Sequence, residues 1–410
     1  MIRAGFVGAG FAARFHFESL QQVRSLGIEP LGVYSRRPES RRAFASERGL
    51  TAFDSLEALL AAVDVVHVCV PPAFHAPVSI AALENGVHVI VEKPFTGYFG
   101  PPGDGNFRAE GVPRETMRAE ALASARRMLE AEAAGAKRAA GASRSGRGTG
   151  KRVAGPSPGG RIFYAENWVF APVIQKEAEI IRKTRAQILW IVAEESHSGS
   201  HSPTYGMWRF SGGGSVMGKG CHPLTAALYL KRVEGQTRNG KPIRPHSVSA
   251  RTHEITRLAG YEDRGHLRTD YTDVEDFGLM HVVFDDGTIA DIFSSEIVLG
   301  GVHNWLEVMA NNHRSRCNIN PVDAVETYNP SEEQFKDIYV VEKIGTKQGW
   351  SKPAPDENWM NGYVQELASF YRSIQSGEAP FADSQLGYDT VAVIYAAYVS
   401  AERKGAEITV

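Results

Sequence analysis

Within its first residues the chain passes from an apolar strand pattern at 2–7, through Gly8-Ala9-Gly10-Phe11-Ala12-Ala13, into a helical pattern at 11–26. Glycine at 8 admits a tight turn and glycine at 10 lets a phosphate approach the backbone. Alanine at 13 lets the helix lie close on the strand, and the helix N-terminus favours an anion. Such a string is weak alone, because Gly and Ala are common. Its setting strengthens it: strand patterns at 30–34, 65–70 and 87–91 alternate with helical patterns at 38–48, 55–62 and 77–85. That rhythm is how a parallel sheet with crossover helices reads. The run at 65–70 is nearly all apolar and β-branched and stops at Pro71-Pro72, as expected of a strand buried on both faces. Gly8, Gly10, Phe11, Ala12 and Ala13 are therefore expected around the pyrophosphate of a dinucleotide.

An acid at the end of the second strand would select NAD by binding the ribose hydroxyl. Here Ser35, Arg36 and Arg37 follow Tyr34 instead, a set that suits a 2′-phosphate, so the expected cofactor is NAD or NADP. Ligands in such sheets sit at the carboxyl ends of strands, which places Pro71, Pro72, His75, Glu92 and Lys93 on the crevice.

A chain of 410 residues has room for two domains. The expected division is a dinucleotide-binding domain at 1–160 and a second domain at 161–410. After Pro94 the Gly- and Pro-rich stretch forbids regular structure, a helix follows at 114–136, and a Gly/Arg-rich segment at about 138–160 reads as a solvated surface loop. From 161 the rhythm changes to longer strands at 187–193, 247–256, 277–284 and 288–296, the last two flanking the hairpin signal Asp285-Asp286-Gly287. Helical periodicity returns at 361–375 and 386–403, in helices expected to pack back toward the first domain. The fold class is thus α/β, a Rossmann domain followed by an α+β domain with a large, mostly antiparallel open sheet.

Lysine and arginine (45) nearly cancel aspartate and glutamate (47), which gives no electrostatic case for nucleic acid. Cys69, Cys221 and Cys317 lie far apart and form no metal or disulfide motif. With neither a signal-peptide pattern nor a membrane-length apolar run, a cytoplasmic homo-oligomer acting on a small molecule is expected.

The second half offers further polar candidates. Glu194-Glu195-Ser196-His197-Ser198-Gly199-Ser200-His201 places two histidines four apart, but Ser and Gly make it a loop, so no metal is expected. His197 and His201 are read instead as lining a hydroxyl-rich pocket, with Trp208 as a stacking surface for a sugar ring. Tyr164, Glu166, Asn167 and Lys176 are lesser candidates. Ordinary surface or sheet-edge polarity is the competing reading for each.

GAGxxA, VPPxxH, ENGVHVIVEKP and then GGGSVMGKGCHPL, in this order, resemble the glucose-fructose oxidoreductase and inositol dehydrogenase family, Gfo/Idh/MocA. The resemblance spans nearly the whole chain. It implies a sugar pocket formed by the open sheet, with Lys93 at the active site and His222 as general acid or base. Oxidising a secondary alcohol requires a base for the hydroxyl proton as hydride leaves, which His222 suits, while Lys93 can hold the oxygen. The chain departs from the family at Gly218, where an aspartate is usual, and at Val169, where an arginine is common. Lys219 is then expected to replace the carboxylate beside His222 and to lower its pKa. The expected activity is NAD(P)-dependent hydride exchange with a ring carbon of a sugar, sugar acid or cyclitol. A glycosidase working by transient oxidation, elimination, water addition and re-reduction is the alternative, and a non-catalytic nucleotide sensor a third.

Overall fold

The computed structural model describes residues 1–145, 159–200, 202 and 204–410, with backbone only for 139–145. The chain forms two compact units: Met1–Gly97, Leu122–Glu166 and Tyr363–Tyr388 in one, and Tyr98–Ala121, Asn167–Gly362 and Asp389–Val410 in the other. These limits differ from a single division at 160/161. The strand at residues 162–165 completes the first sheet, so the first unit keeps the chain to 166 and takes back the helix after 362.

In the first unit, strands β1 (Ile2–Val7), β2 (Ile28–Tyr34), β3 (Thr51–Ala52), β4 (Val65–Val68), β5 (His88–Glu92) and β6 (Ile162–Ala165) form a parallel sheet in the order β3-β2-β1-β4-β5-β6. The order reverses between β1 and β4, which is where open α/β sheets bind ligands. The main helices of the chain are α1 (Phe11–Gln22), α2 (Pro38–Arg48), α3 (Leu56–Ala62), α4 (His75–Glu84), α5 (Arg114–Ser145), α6 (Pro172–Thr184), α7 (Cys221–Asn239), α8 (Tyr363–Ser376) and α9 (Ser384–Glu402). Ser55 caps α3, its Oγ accepting the Ala58 N–H at 3.1 Å. Helix α1 stops at Gln22, and a 3-10 turn at Arg24–Leu26 ends on left-handed Gly27. Helix α5 runs to Ser145, past the expected end at 136, because the segment stays rich in alanine, the best helix former. The rest of the expected Gly/Arg-rich loop, 146–158, lies outside the described residues.

In the second unit, β7 (Ile188–Ser196), β8 (Pro245–His253), β9 (Phe277–Phe284), β10 (Ile289–Ser295), β11 (His303–Ala310) and β12 (Arg314–Asn320) form an open sheet. Its order is β12-β11-β7-β10-β9-β8-β15, with β15 (Ile408–Thr409) at the edge, while β13 (Thr327–Asn329) and β14 (Gly349–Ser351) make a separate ribbon. Every pairing in the larger sheet is antiparallel except β7 with β10. Asp285-Asp286-Gly287 turns β9 into β10, with Gly287 at φ 79° and its N–H on Phe284 O. No helix among the described residues is long and apolar enough to cross a membrane.

Helix α7 packs across this sheet and buries Lys231 completely. The ammonium meets Glu234, also fully buried, at 2.5 Å and Asp286 of the hairpin at 3.0 Å. Removing the cation deprives the fully buried Glu234 of one of its two counter-charges, Arg238 being the other, a loss that costs about 3–5 kcal/mol when one partner of a buried pair goes. Lys231→Met is therefore expected to lower stability by that amount in a denaturant titration. A midpoint unchanged from the parent chain would refute this account of the hairpin's anchoring.

Candidate functional site

In the first unit the glycine motif sits at the sheet's reversal point. Gly8 adopts φ 112°, and a Cβ there would lie 2.3 Å from the backbone oxygen of Cys69, which follows β4. Gly10 is different: it caps α1 with extended backbone, is exposed, and a Cβ there would meet no protein atom within 4 Å. Gly8 thus closes the gap between β1 and β4, while Gly10 leaves room at the helix N-terminus for an outside group. Ala13 is fully buried against the sheet, Phe11 is 61% exposed and Ala12 half-buried. After β2, Ser35 donates to Arg37 O at 3.2 Å, and the exposed Arg36 guanidinium lies 4.4 Å from the ring centre of Phe74, in the turn Pro72–Phe74 beyond β4. Pro71 is exposed and Pro72 half-buried at the same strand end. The small cradle, the helix terminus and a strand end without a carboxylate fit a dinucleotide.

His75 has both ring nitrogens engaged within the protein. Its buried ring spans two backbone carbonyls, Pro94 O at 2.7 Å and Val70 O at 2.9 Å, and so ties the loops after β4 and β5 together. Burial lowers its pKa against the pull of those carbonyls. The ring thereby holds these two loops together.

Beneath Glu92 lies a buried polar chain that sequence reading missed. His16 of α1 contacts Glu92 Oε1 through Nε2 at 2.8 Å and His67 Nδ1 through Nδ1 at 2.8 Å, and His67 Nε2 reaches the Tyr371 hydroxyl at 2.8 Å. Burial works against charge on His16, but Cys69 and Glu92 beside the ring hold its pKa well above the ordinary value. Burial and the neighbouring His16 push His67 well below its own. With His16 doubly protonated, as its raised pKa favours, it donates to Glu92 and to His67, and neutral His67 donates to Tyr371. Burial alone would raise Glu92, yet His16 keeps it low. Its second oxygen accepts the Lys93 N–H at 3.0 Å, which fixes the backbone from which Lys93 projects. Neither histidine belongs to a motif; the only trace in the sequence is a histidine on an otherwise apolar helix face and another inside an apolar strand.

In the second unit, His222 stands in the first turn of α7, stacked on buried Trp168 at 6.2 Å between ring centres. Glu195 of β7 places its Oε2 3.9 Å from Nε2, an ion-pair separation too long for a hydrogen bond. Glu195 continues the buried face of Ile191 and Ala193, in phase along the strand, and that alternation was the signal available for finding it. A carboxylate from another element thus stands near His222, although position 218 carries none. A Cβ at Gly218 would lie 3.1 Å from the Tyr205 ring, so the side chain has little room to return.

Lys219 does not serve His222 as expected. Its buried ammonium pairs with buried Glu296 and donates to Ser200 Oγ at 3.1 Å, so its charge is compensated where it sits. The glycines of 212–214 pack on protein, not on a ligand: a Cβ at Gly214 would lie 2.1 Å from Glu275 O, and the Glu275 carboxylate accepts the N–H groups of Gly214 and Val216.

The remaining sequence candidates differ in burial and in partners. Trp208 is 1% exposed, donates its indole N–H to Tyr98 O at 3.0 Å and lies under Arg114, so no sugar can stack on it. Tyr164 is fully buried in β6 against Phe95, and Glu166, just beyond, is buried too. Asn167 donates to Asn361 O at 2.7 Å. Lys176 is exposed on α6 in a solvent ion pair with Glu179. His197 is buried and accepts the Gly199 N–H at Nδ1, shaping the loop after β7. His201 lies outside the described residues.

Residues 2–99 match the model of an oxidoreductase family's NAD-binding Rossmann fold, GFO_IDH_MocA. The chain is 37% identical over 95 residues to a UDP-N-acetylglucosamine 3-dehydrogenase of Acidithiobacillus ferrooxidans and 36% identical over 100 to an inositol 2-dehydrogenase of Corynebacterium glutamicum. Each match covers 23% of this chain and only 29% of the relative. Solved structures share the fold across the whole chain. GenD2 from gentamicin A biosynthesis, in complex with NAD, superimposes with a TM-score of 0.73 at 20% identity, covering 100% of this chain and 96% of that one. WlbA dehydrogenase from Bordetella pertussis, in complex with NADH and UDP-GlcNAcA, gives 0.63 at 18%, covering 100% and 97%. Residues 2–99 thus form an NAD-binding Rossmann domain that matches the Gfo/Idh/MocA oxidoreductase family, and beyond them the chain shares the fold of these solved structures.

Proposed function

We propose that this protein is an NAD(P)-dependent dehydrogenase acting on a ring hydroxyl of a sugar, sugar acid or cyclitol. The observation that carries the reading is Glu92-Lys93-Pro94 at the carboxyl end of β5 in an NAD-binding Rossmann sheet, with the Lys93 backbone pinned by Glu92. The matched relatives named as acting on N-acetylglucosamine nucleotide and inositol support the substrate class. Gly8, Gly10 and the N-terminus of α1 would hold the pyrophosphate, and Arg36 the adenosine end. Bound NAD(P) supplies the hydride acceptor. His222 takes the hydroxyl proton onto its imidazole, with Glu195 facing Nε2 to orient the ring and balance the charge it gains. The Lys93 ammonium holds the substrate oxygen and stabilises the negative charge that develops there.

The hydrolytic alternative needs several proton transfers, and Lys219 was one of its donors. Its pairing with Glu296 favours simple dehydrogenation. Incubation with sugars, cyclitols and aryl glycosides, following cofactor absorbance and released phenol together, is expected to show cofactor reduction without phenol. Phenol release without net reduction would overturn the dehydrogenase reading.

Cofactor choice turns on Arg36. A charge-assisted contact to a 2′-phosphate contributes about 1.5–3 kcal/mol. Arg36→Ala is expected to weaken NADP by that amount and NAD much less, because stacking beside Phe74 serves both. Equal losses in calorimetry would remove the case for NADP.

A further inference from the structure

We propose that the cavity at the carboxyl ends of β7 and β10 is an anion-binding subsite, anchored by Lys343, that takes the phosphate or carboxylate of an acidic sugar. The proposal rests on the sugar reading above and narrows its substrate class. Because β7 and β10 are the parallel neighbours in their sheet, both strands end at the same edge. There β7 continues into Ser198 and Ser200, and β10 into Glu296. A cavity of about 500 Å³ opens at this edge, lined by Ser198, Ser200, Arg268, Asp270 and Lys343. That volume suits a sugar-sized ligand.

The cations around it are not equivalent. Lys219 is matched by Glu296. Arg268 is matched by Asp270 and donates to the carbonyls of Ser200 and Ser202 at 2.7 Å each. Lys343 donates to a neutral acceptor, Gly199 O, at 2.7 Å, and its backbone holds φ 62°, a left-handed conformation rare for a residue other than glycine. Half-burial brings its pKa down to about 8; Glu342 and Glu296 pull it up, and Lys219 and Arg268 press it further down. An ammonium so placed gains from an added anion more than either of its matched neighbours would. The Ser198 hydroxyl beside it can donate to the same oxygens, while the Ser200 hydroxyl is directed at Glu296. Ser200 lies on the loop that leaves β7 just after Glu195, the carboxylate facing His222, so an acidic group held at Lys343 would tether a substrate at the edge of the sheet that carries Glu195.

Calorimetry on the full chain with glucose, glucose 6-phosphate and glucuronate tests this. At least one acidic sugar is expected to bind roughly ten-fold tighter than glucose, with the phosphate and carboxylate arms telling which group is preferred. Lys343→Met and Lys343→Gln should erase the preference and Lys343→Arg should retain most of it, with thermal unfolding showing that each variant is folded. Equal binding of the three sugars, no binding of any, or a preference that survives both neutral variants would overturn the subsite. Oxidation of neutral sugars without an acidic preference would sink the subsite alone. Lys343-dependent binding with no sugar oxidised would sink the dehydrogenase reading alone.

Discussion

His222→Ala and Lys93→Met are each expected to lower turnover by roughly two to four orders of magnitude, the usual scale of acid–base and charge-stabilising help. Neither residue belongs to the glycine cradle, so calorimetric NAD(P) affinity should stay within a few-fold. Glu195→Gln should act through His222: the oxygen that faces Nε2 becomes part of a neutral amide, so turnover falls less than in His222→Ala and the pH profile moves. Lys219→Met should instead act on stability, since it leaves Glu296 buried without its cation, and the pH profile should hold its position. A folded His222→Ala enzyme with full turnover on a substrate that the parent oxidises would overturn the mechanism.

What was legible in the sequence is what local chemistry dictates. The strand, Gly8, Gly10 and α1 follow one another within a few residues, and their roles follow from turn geometry and close packing. Asp285-Asp286-Gly287 announced its hairpin for the same reason, although not that Asp286 would also reach the buried Lys231. The site's electrostatics were less legible because its partners are distant in sequence. Glu92 meets His16 from 76 positions away, and Lys219 meets Glu296 from 77. A lysine three residues before a histidine looks like its neighbour until the tertiary fold supplies a better one. Trp208 misled in the opposite direction: an aromatic residue in a polar, Gly-rich stretch suggested an open stacking surface. Tyr98, Asp273, Arg114 and Tyr398, from scattered segments, converge to enclose it. Glu195 is the intermediate case, since strand alternation marked its face but not the helix standing over it.

The two glycines of the cradle should separate folding from binding. At Gly8 an alanine must take a φ of 112° and place its Cβ 2.3 Å from Cys69 O. That oxygen cannot yield easily, because the Cys69 N–H is bonded to Val7 O at 2.9 Å and the Gly8 N–H to Tyr34 O at 2.8 Å. Backbone strain and overpacking together cost about 3–5 kcal/mol, so Gly8→Ala should lose stability with or without cofactor, as a large fall in the thermal midpoint. Gly10 carries neither constraint: its φ of −99° suits any residue and a Cβ would meet open space. Gly10→Val should therefore keep the parent's midpoint in the absence of cofactor. Its branched side chain would stand where the phosphates approach the N–H groups of α1, and the loss of one or two charge-assisted contacts corresponds to roughly a hundred-fold weaker NAD(P) binding. Unchanged affinity in a folded Gly10→Val chain would mean that the pyrophosphate lies elsewhere, and a Gly8→Ala chain as stable as the parent would mean that the gap between β1 and β4 is wider than the structure has it.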